Sequence, residues 1–138
     1  MEQITLTLLS AERQVVASVS ASSITLTGSE GQIQVLPGHA HMIGTLETGS
    51  FQFTPVNGTP VVGVISTGFF EVTDDHIKVL AETVELASEI DLERAKRAQQ
   101  RAEAALQKAE MDDHQFKKYQ LKLQRALIRQ QIASQTTH

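Results

Sequence analysis

Apolar and polar residues alternate at period two through the first part of the chain, then switch to a helical period near residue 89. Ile4-Thr5-Leu6-Thr7-Leu8 and Ile24-Thr25-Leu26-Thr27 alternate cleanly, so each is expected to bury one face as a strand. Phe51-Gln52-Phe53 and Val61-Val62-Gly63-Val64-Ile65 flank the turn-forming pair Asn57-Gly58 and read as two more strands. Asp74-Asp75 joins Phe70-Glu71-Val72 to Ile77-Lys78-Val79-Leu80 in the same manner. Pro55 and Pro60 are expected at strand ends, where no ladder donor is lost. Many short strands separated by turns predict an antiparallel β-sandwich over residues 1–88.

Beyond it, Ala95, Ala98, Ala102, Ala105 and Ala109 fall at alternating spacings of three and four, the inner seam of an amphipathic helix. A second seam runs through Phe116, Tyr119, Leu123, Ala126, Gln130 and Ala133, with Asp112 or Asp113 as its N-cap. A short break between two such helices predicts an antiparallel two-helix hairpin over residues 89–138. The fold class is therefore α+β.

The predicted hairpin is weakly held. At about 0.8 kcal/mol per buried carbon, five alanines contribute roughly 4 kcal/mol before any entropic cost. Ala, Gln, Lys, Arg and Glu meanwhile favour helix without a partner, so the helices can persist while their mutual packing is given up. Charge opposes closure further. Arg94, Arg101 and Lys108 precede the first seam by one residue, and Lys122 and Arg129 occupy the matching edge of the second. A tight turn near residue 112 would set Arg94 across from Arg129, so that the pairing is repulsive or an anion lies between.

The net charge of −4 over 138 residues conceals an asymmetry. Residues 1–88 carry two basic and nine acidic side chains, a net of −7, whereas residues 89–138 carry ten and seven, a net of +3. Two surfaces with different partners are implied. An acidic sandwich, few aromatics and no tryptophan argue against nucleic acid. The absence of cysteine excludes disulfides and thiolate metal sites. No apolar run is long enough to span a bilayer, so no direct membrane insertion is expected. The first residues lack a signal-peptide pattern, which predicts a reducing cytoplasm.

Chemical motifs are scarce. Neither a G-x-x-x-x-G-K-[ST] loop nor a nucleophile elbow occurs. His39-Ala40-His41 could offer two metal ligands, but no third lies nearby, so no metal site is assigned. Glu30 and the Asp74-Asp75 pair read as turn and surface residues. No catalysis is expected.

Three ordered blocks then fix a relationship. Gly28-Ser29-Glu30-Gly31 with Val35-Leu36-Pro37-Gly38-His39-Ala40, then Ser66-Thr67-Gly68-Phe69-Phe70-Glu71-Val72, then Ile90-Asp91-Leu92-Glu93-Arg94-Ala95 resemble, in order and spacing, the signatures of the ε subunits of bacterial F-type ATP synthases. The chain departs from that pattern at His41, where proline is usual, and at Thr67, where glycine is usual. The resemblance implies a non-catalytic rotor subunit of the central stalk, with the sandwich bound to the γ subunit and the c-ring. Its contact loops would be Glu30, Gly31, Pro37, Gly38 and His39. It further implies coupling of the ring to γ in ATP synthesis with proton transport, and a peripheral place on the cytoplasmic face of the inner membrane. Hydrolysis would be inhibited when the C-terminal helices extend and turn a basic face, Lys118, Lys122, Arg125 and Arg129, toward the α/β catalytic hexamer.

Ile90-Asp91-x-x-Arg94-Ala95 and Arg125-Ala126-x-x-Arg129 match that family's nucleotide motifs. No cofactor is required, but a regulatory ATP is implied at Glu85, Ile90, Asp91, Arg94, Arg101, Arg125 and Arg129, with the arginines on the phosphates. Guanidinium suits phosphate because it offers rigid paired donors. The alternatives from other classes are a free-standing, small-ligand-binding sandwich that dimerises through a coiled-coil tail, and an enzyme using the acidic sandwich face.

Overall fold

The computed structural model describes residues 3–11, 14–38, 41–108 and 110–135, and the chain divides into two compact units, Met1–Leu86 and Ala87–His138. The first unit is a β-sandwich whose described residues form nine strands: β1 (Ile4–Ser10), β2 (Gln14–Gly28), β3 (Gly31–Val35), β4 (Met42–Leu46), β5 (Gly49–Pro55), β6 (Val61–Ile65), β7 (Gly68–Thr73), β8 (His76–Ala81) and β9 (Val84–Leu86). They hydrogen-bond in the order β1-β8-β7-β4-β2-β5-β6-β9, with β3 on β2, and a further β1–β2 pairing closes the sheet on itself.

β2 serves both layers. Its first part pairs with β1 (Ile4↔Ala21) and its second with β5 and β3 (Ile24↔Phe53, Ile24↔Val35). A bulge bends β2 within its ladder with β1. The β1 register slips between Leu6↔Val19 and Leu8↔Val16, and Ser18 in that gap has φ 50°. An extra residue on one strand increases local bend and twist.

The β1–β8 ladder is parallel (Thr5↔His76 through Ser10↔Ala81), whereas the other described ladders are antiparallel. A parallel pair needs a long connection, here most of the sandwich, and no local signal announces it. The core gathers Ile4, Leu6, Leu8, Ile24, Leu26, Val35, Phe51, Phe53, Ile65, Phe70, Val72, Ile77 and Val79. The alternation at Ile4–Leu8 and Ile24–Thr27 thus forms two of its walls.

Some elements differ from the sequence reading. β3, β4 and β9 are strands with no counterpart there. β9 has only three residues, Gly44 interrupts the apolar pattern of β4, and β3 lies inside the segment expected as loop. Asn57-Gly58 does not form a two-residue hairpin. The β5–β6 ladder ends at Phe53↔Val61, and Pro60, without an N–H, cannot extend it.

The second unit begins with a 3₁₀ turn, Ala87–Glu89, followed by α1 (Leu92–Leu106) and α2 (Asp113–Gln135). Asp91 caps α1 by accepting the Arg94 N–H at 3.1 Å. Asp112 caps α2, its carboxylate accepting the Gln115 N–H at 2.7 Å. The helices pack as an antiparallel hairpin, with the Gln130 amide donating to Gln99 at 2.6 Å.

Ala95, Ala102, Ala126 and Ala133 are buried, and Ala98, Ala105, Tyr119, Leu123 and Gln130 half-buried; Ala109 lies outside the described residues. Phe116 departs from its expected seam position and is 45% exposed. With Gln99 level with Gln130, antiparallel pairing puts Phe116 beyond the last turn of α1, so no opposing helix covers it.

Candidate functional site

Two surfaces carry the chemistry, one on each unit. On the sandwich, Glu30 and Gly31 form the β2–β3 turn, closed by Gly28↔Gly31 and tied to β4 through Thr45, whose hydroxyl donates to Ser29 at 2.9 Å. Pro37 and Gly38 lie past the other end of β3. Five residues at about 3.3 Å each separate the two groups, so the structure does not unite the expected contact loops into one edge. The alternation Gln32-Ile33-Gln34-Val35 is the signal for the strand between them. His39 lies outside the described residues.

The Pro37-Gly38 turn is anchored by the β7–β8 hairpin. Gly38 donates its N–H to the Asp75 carboxylate at 2.7 Å, and the Asp75 carbonyl accepts from Thr5 N–H at 2.8 Å. Asp74 meets His41 Nε2 at 3.3 Å. Asp74 and Asp75 have φ of 48° and 59°, the left-handed pair that a tight hairpin requires, and aspartate tolerates it. Gly38 itself has φ 84°.

Between the hairpins lies an exposed sheet face, β4–β7–β8–β1. Register sets Thr45, Phe69, Leu80 and Leu9 in one row, and Ile43, Glu71, Lys78 and Thr7 in the next. Phe69 is 52% exposed and Ile43 75%, with Leu80 beside them also exposed. These residues form an apolar patch. Glu71, Thr73, His76 and Lys78 form a shallow polar groove of about 300 Å³ on the same face, His76 sharing a 3.3 Å hydrogen bond with Thr7. The patch had a sequence signal. In a strand, adjacent apolar residues point to opposite faces, so Phe69-Phe70 places one ring in the core and one outside.

On the hairpin, α1 and α2 enclose a cleft of about 580 Å³. Its described lining is Ala98, Ala102, Ala104 and Ala105 with Arg101, Lys108, Tyr119, Lys122, Arg125 and Arg129. Five cations converge there, and no Asp or Glu is among the described lining residues. Lys122 Nζ sits 5.2 Å from the Tyr119 ring centroid, and Lys118 Nζ 6.0 Å from it.

Of the expected nucleotide residues, Arg101, Arg125 and Arg129 meet in this cleft. Arg94 is not among its described lining residues. The register set by Gln99–Gln130 brings Arg101, rather than Arg94, to the level of the α2 arginines. The turn between helices is longer than the tight one assumed, and the pairing shifts with it. Asp91 is engaged as the α1 cap, and Ile90, half-buried, donates its N–H to the Ala87 carbonyl. Glu85 lies in β9, opposite Val64. Lys118 is exposed on α2. Lys108 and Tyr119 are cleft residues that the nucleotide motifs do not include. Among the described residues, no cluster of three metal-ligating side chains occurs, and no helix is long and apolar enough to cross a membrane.

Family models match both units. The ATP synthase delta/epsilon chain beta-sandwich domain matches residues 3–87, and the long alpha-helix domain of the same chain matches residues 88–134. The chain is 49% identical over 110 residues to the ATP synthase epsilon chain of Trichlorobacter lovleyi, covering 80% of this chain and 79% of that one. It is 45% identical over 118 residues to that of Geobacter sulfurreducens, covering 86% and 85%. A chain in a structure of the Euglena gracilis mitochondrial ATP synthase, comprising OSCP, F1 and c-ring, superposes with a TM-score of 0.80 at 25% identity, covering 98% and 82%. With two domain models in sequence and relatives matched over most of their length, the chain belongs to the ATP synthase delta/epsilon family, among the non-catalytic epsilon subunits of the F-type central stalk.

Proposed function

We propose that the sandwich docks on the γ subunit and the c-ring, coupling ring rotation to γ during proton-driven ATP synthesis. The observation that carries this reading is the Ile43–Phe69–Leu80 patch, an exposed apolar surface beside Glu71, Lys78 and Thr7 on the same sheet face. Exposed apolar patches mark protein contacts, and in this family γ is the partner that fits a rigid sandwich face. Glu30-Gly31 and Pro37-Gly38, at opposite ends of β3, then serve two contacts rather than one, with γ and the ring as the two partners. The place in the cell is peripheral, on the cytoplasmic side of the bacterial inner membrane.

The hairpin is the regulatory part. Closed, it presents the arginine cleft, in which Arg101, Arg125 and Arg129 take the phosphates of a non-catalytic ATP. Open and extended, Lys118, Lys122, Arg125 and Arg129 face the α/β hexamer and oppose rotation in the hydrolysis direction. A ligand that binds only the closed form shifts the population toward it, so high ATP relieves inhibition.

The test is deletion of residues 89–138 in the assembled enzyme. The truncated chain is expected to retain γ and the ring on purification, and the enzyme to hydrolyse ATP faster while still pumping protons. Hydrolysis unchanged at every nucleotide concentration would refute the regulatory role. Loss of γ and ring binding by a folded sandwich would refute the division of labour.

A further inference from the structure

The hairpin cleft holds cations that the nucleotide motifs leave unused. Lys108 and Lys122 stand on its turn side, beyond Arg101, Arg125 and Arg129. From Lys122 to Arg129 the α2 edge runs seven residues, about 10 Å at 1.5 Å per residue. One phosphate cannot reach both ends of such a row, whereas a chain of phosphates can.

The lining also says what is not read there. Its floor is alanine, which offers no side-chain donor or acceptor to a base or ribose. Tyr119 is the one described aromatic in the lining, and lysines occupy its surroundings, Lys122 at 5.2 Å and Lys118 at 6.0 Å. A ring engaged by cations holds them in place and is poorly available for stacking on a base. Recognition in this limb is therefore by charge and length.

We propose that the cleft is a site for linear polyphosphate anions, in which Lys108 and Lys122 take the phosphates beyond those held by Arg101, Arg125 and Arg129, and Tyr119 is a positioning residue for Lys122. The proposal rests on the nucleotide reading only in sharing those three arginines; it needs neither base nor ribose. The chemistry has two sources, the phosphate tail of a nucleoside triphosphate and an inorganic chain, and the inorganic chain fills the lysine limb more completely.

Calorimetry on the full chain, at one fixed salt concentration, tests it with pyrophosphate, tripolyphosphate and ATP as probes. Affinity is expected to rise about tenfold from pyrophosphate to tripolyphosphate, in keeping with one or more added charge-assisted contacts. The pair Lys108→Gln and Lys122→Gln, both helix-compatible, should remove that rise while helical circular dichroism is unchanged. Tyr119→Leu should weaken tripolyphosphate binding and leave pyrophosphate binding as it was. Equal affinity for the two inorganic anions, tripolyphosphate binding untouched in the lysine pair, or no tripolyphosphate binding at millimolar concentration would each overturn the proposal. ATP binding without tripolyphosphate binding would do the same and leave the nucleotide reading intact. Tripolyphosphate binding without ATP binding would uphold it and end the nucleotide reading.

Discussion

Ile43→Thr separates docking from folding on the sandwich face. Ile43 is 75% exposed, so most of its side chain is available to a partner and little belongs to the core. Threonine keeps the β-branch and hence the strand preference of β4, but exchanges an ethyl arm for a hydroxyl. Two lost carbons at about 0.8 kcal/mol each cost about 1.6 kcal/mol in a dry interface. An incompletely satisfied hydroxyl brings the loss to about 2 kcal/mol or somewhat more. That corresponds to about thirtyfold in affinity for γ.

The cost to folding comes only from the buried quarter of the side chain, about 0.5 kcal/mol on the same scale, or a few degrees in Tm. Titration of wild type and variant into purified γ, with a thermal melt of each, reads both quantities. Lys78→Gln, in the same row beyond Glu71, is a control for surface charge and should change γ affinity far less. Unchanged γ affinity in Ile43→Thr, with the melt as expected, would show that γ does not seat on this patch. A loss of γ binding that merely followed a collapsed melt would refute the reasoning about exposure.

Two further substitutions probe the turns. Gly38→Val should weaken assembly with γ or the ring and lower stability by roughly 2 kcal/mol, because a β-branched residue resists φ 84° while the space around it is open; a melt combined with pull-down checks it, and Gly38→Asn, which tolerates that region, should recover most of the loss. Asp112→Ala removes the acceptor of the Gln115 N–H and should cost about 1 kcal/mol of α2 stability, read as faster amide exchange in the first turn of α2 with the β-sheet amides unaffected.

The sandwich was legible because its strands bury one face and alternate accordingly. Ile4–Leu8, Ile24–Thr27 and Ile77–Leu80 carried that signal and sit where it placed them. What escaped was in part non-local. No residue of β1 or β8 reveals that they pair in parallel, since that pairing follows from closure of the whole sheet. β9 escaped because three residues are too few to show a period, and β3 because turn residues at both ends made its middle look like loop. In the hairpin, the seam residues were legible but the register was not. A shift of one or two turns leaves an alanine seam equally well matched, because small side chains interlock weakly. The Gln130–Gln99 hydrogen bond and the length of the turn decide it, and they move Arg101 into the place expected of Arg94.

That weak specification bears on function. The sandwich buries Phe51, Phe70, Ile4, Leu6, Leu8, Ile24, Leu26, Ile65 and Ile77 almost completely, each contributing about 1.5–3 kcal/mol. The sum is several times the roughly 3 kcal/mol that the buried alanines Ala95, Ala102, Ala126 and Ala133 contribute at one methyl each. In the proposed switch, the cations gathered in the cleft disfavour the closed hairpin, so the balance between closed and open would lie within reach of a single charged ligand. A ligand present at a hundred times its dissociation constant stabilises the form it binds by about 2.7 kcal/mol, comparable to the whole alanine contribution and negligible against the sandwich. On the proposed mechanism, the same ligand would therefore reset the helices without disturbing the unit proposed to hold them on the rotor.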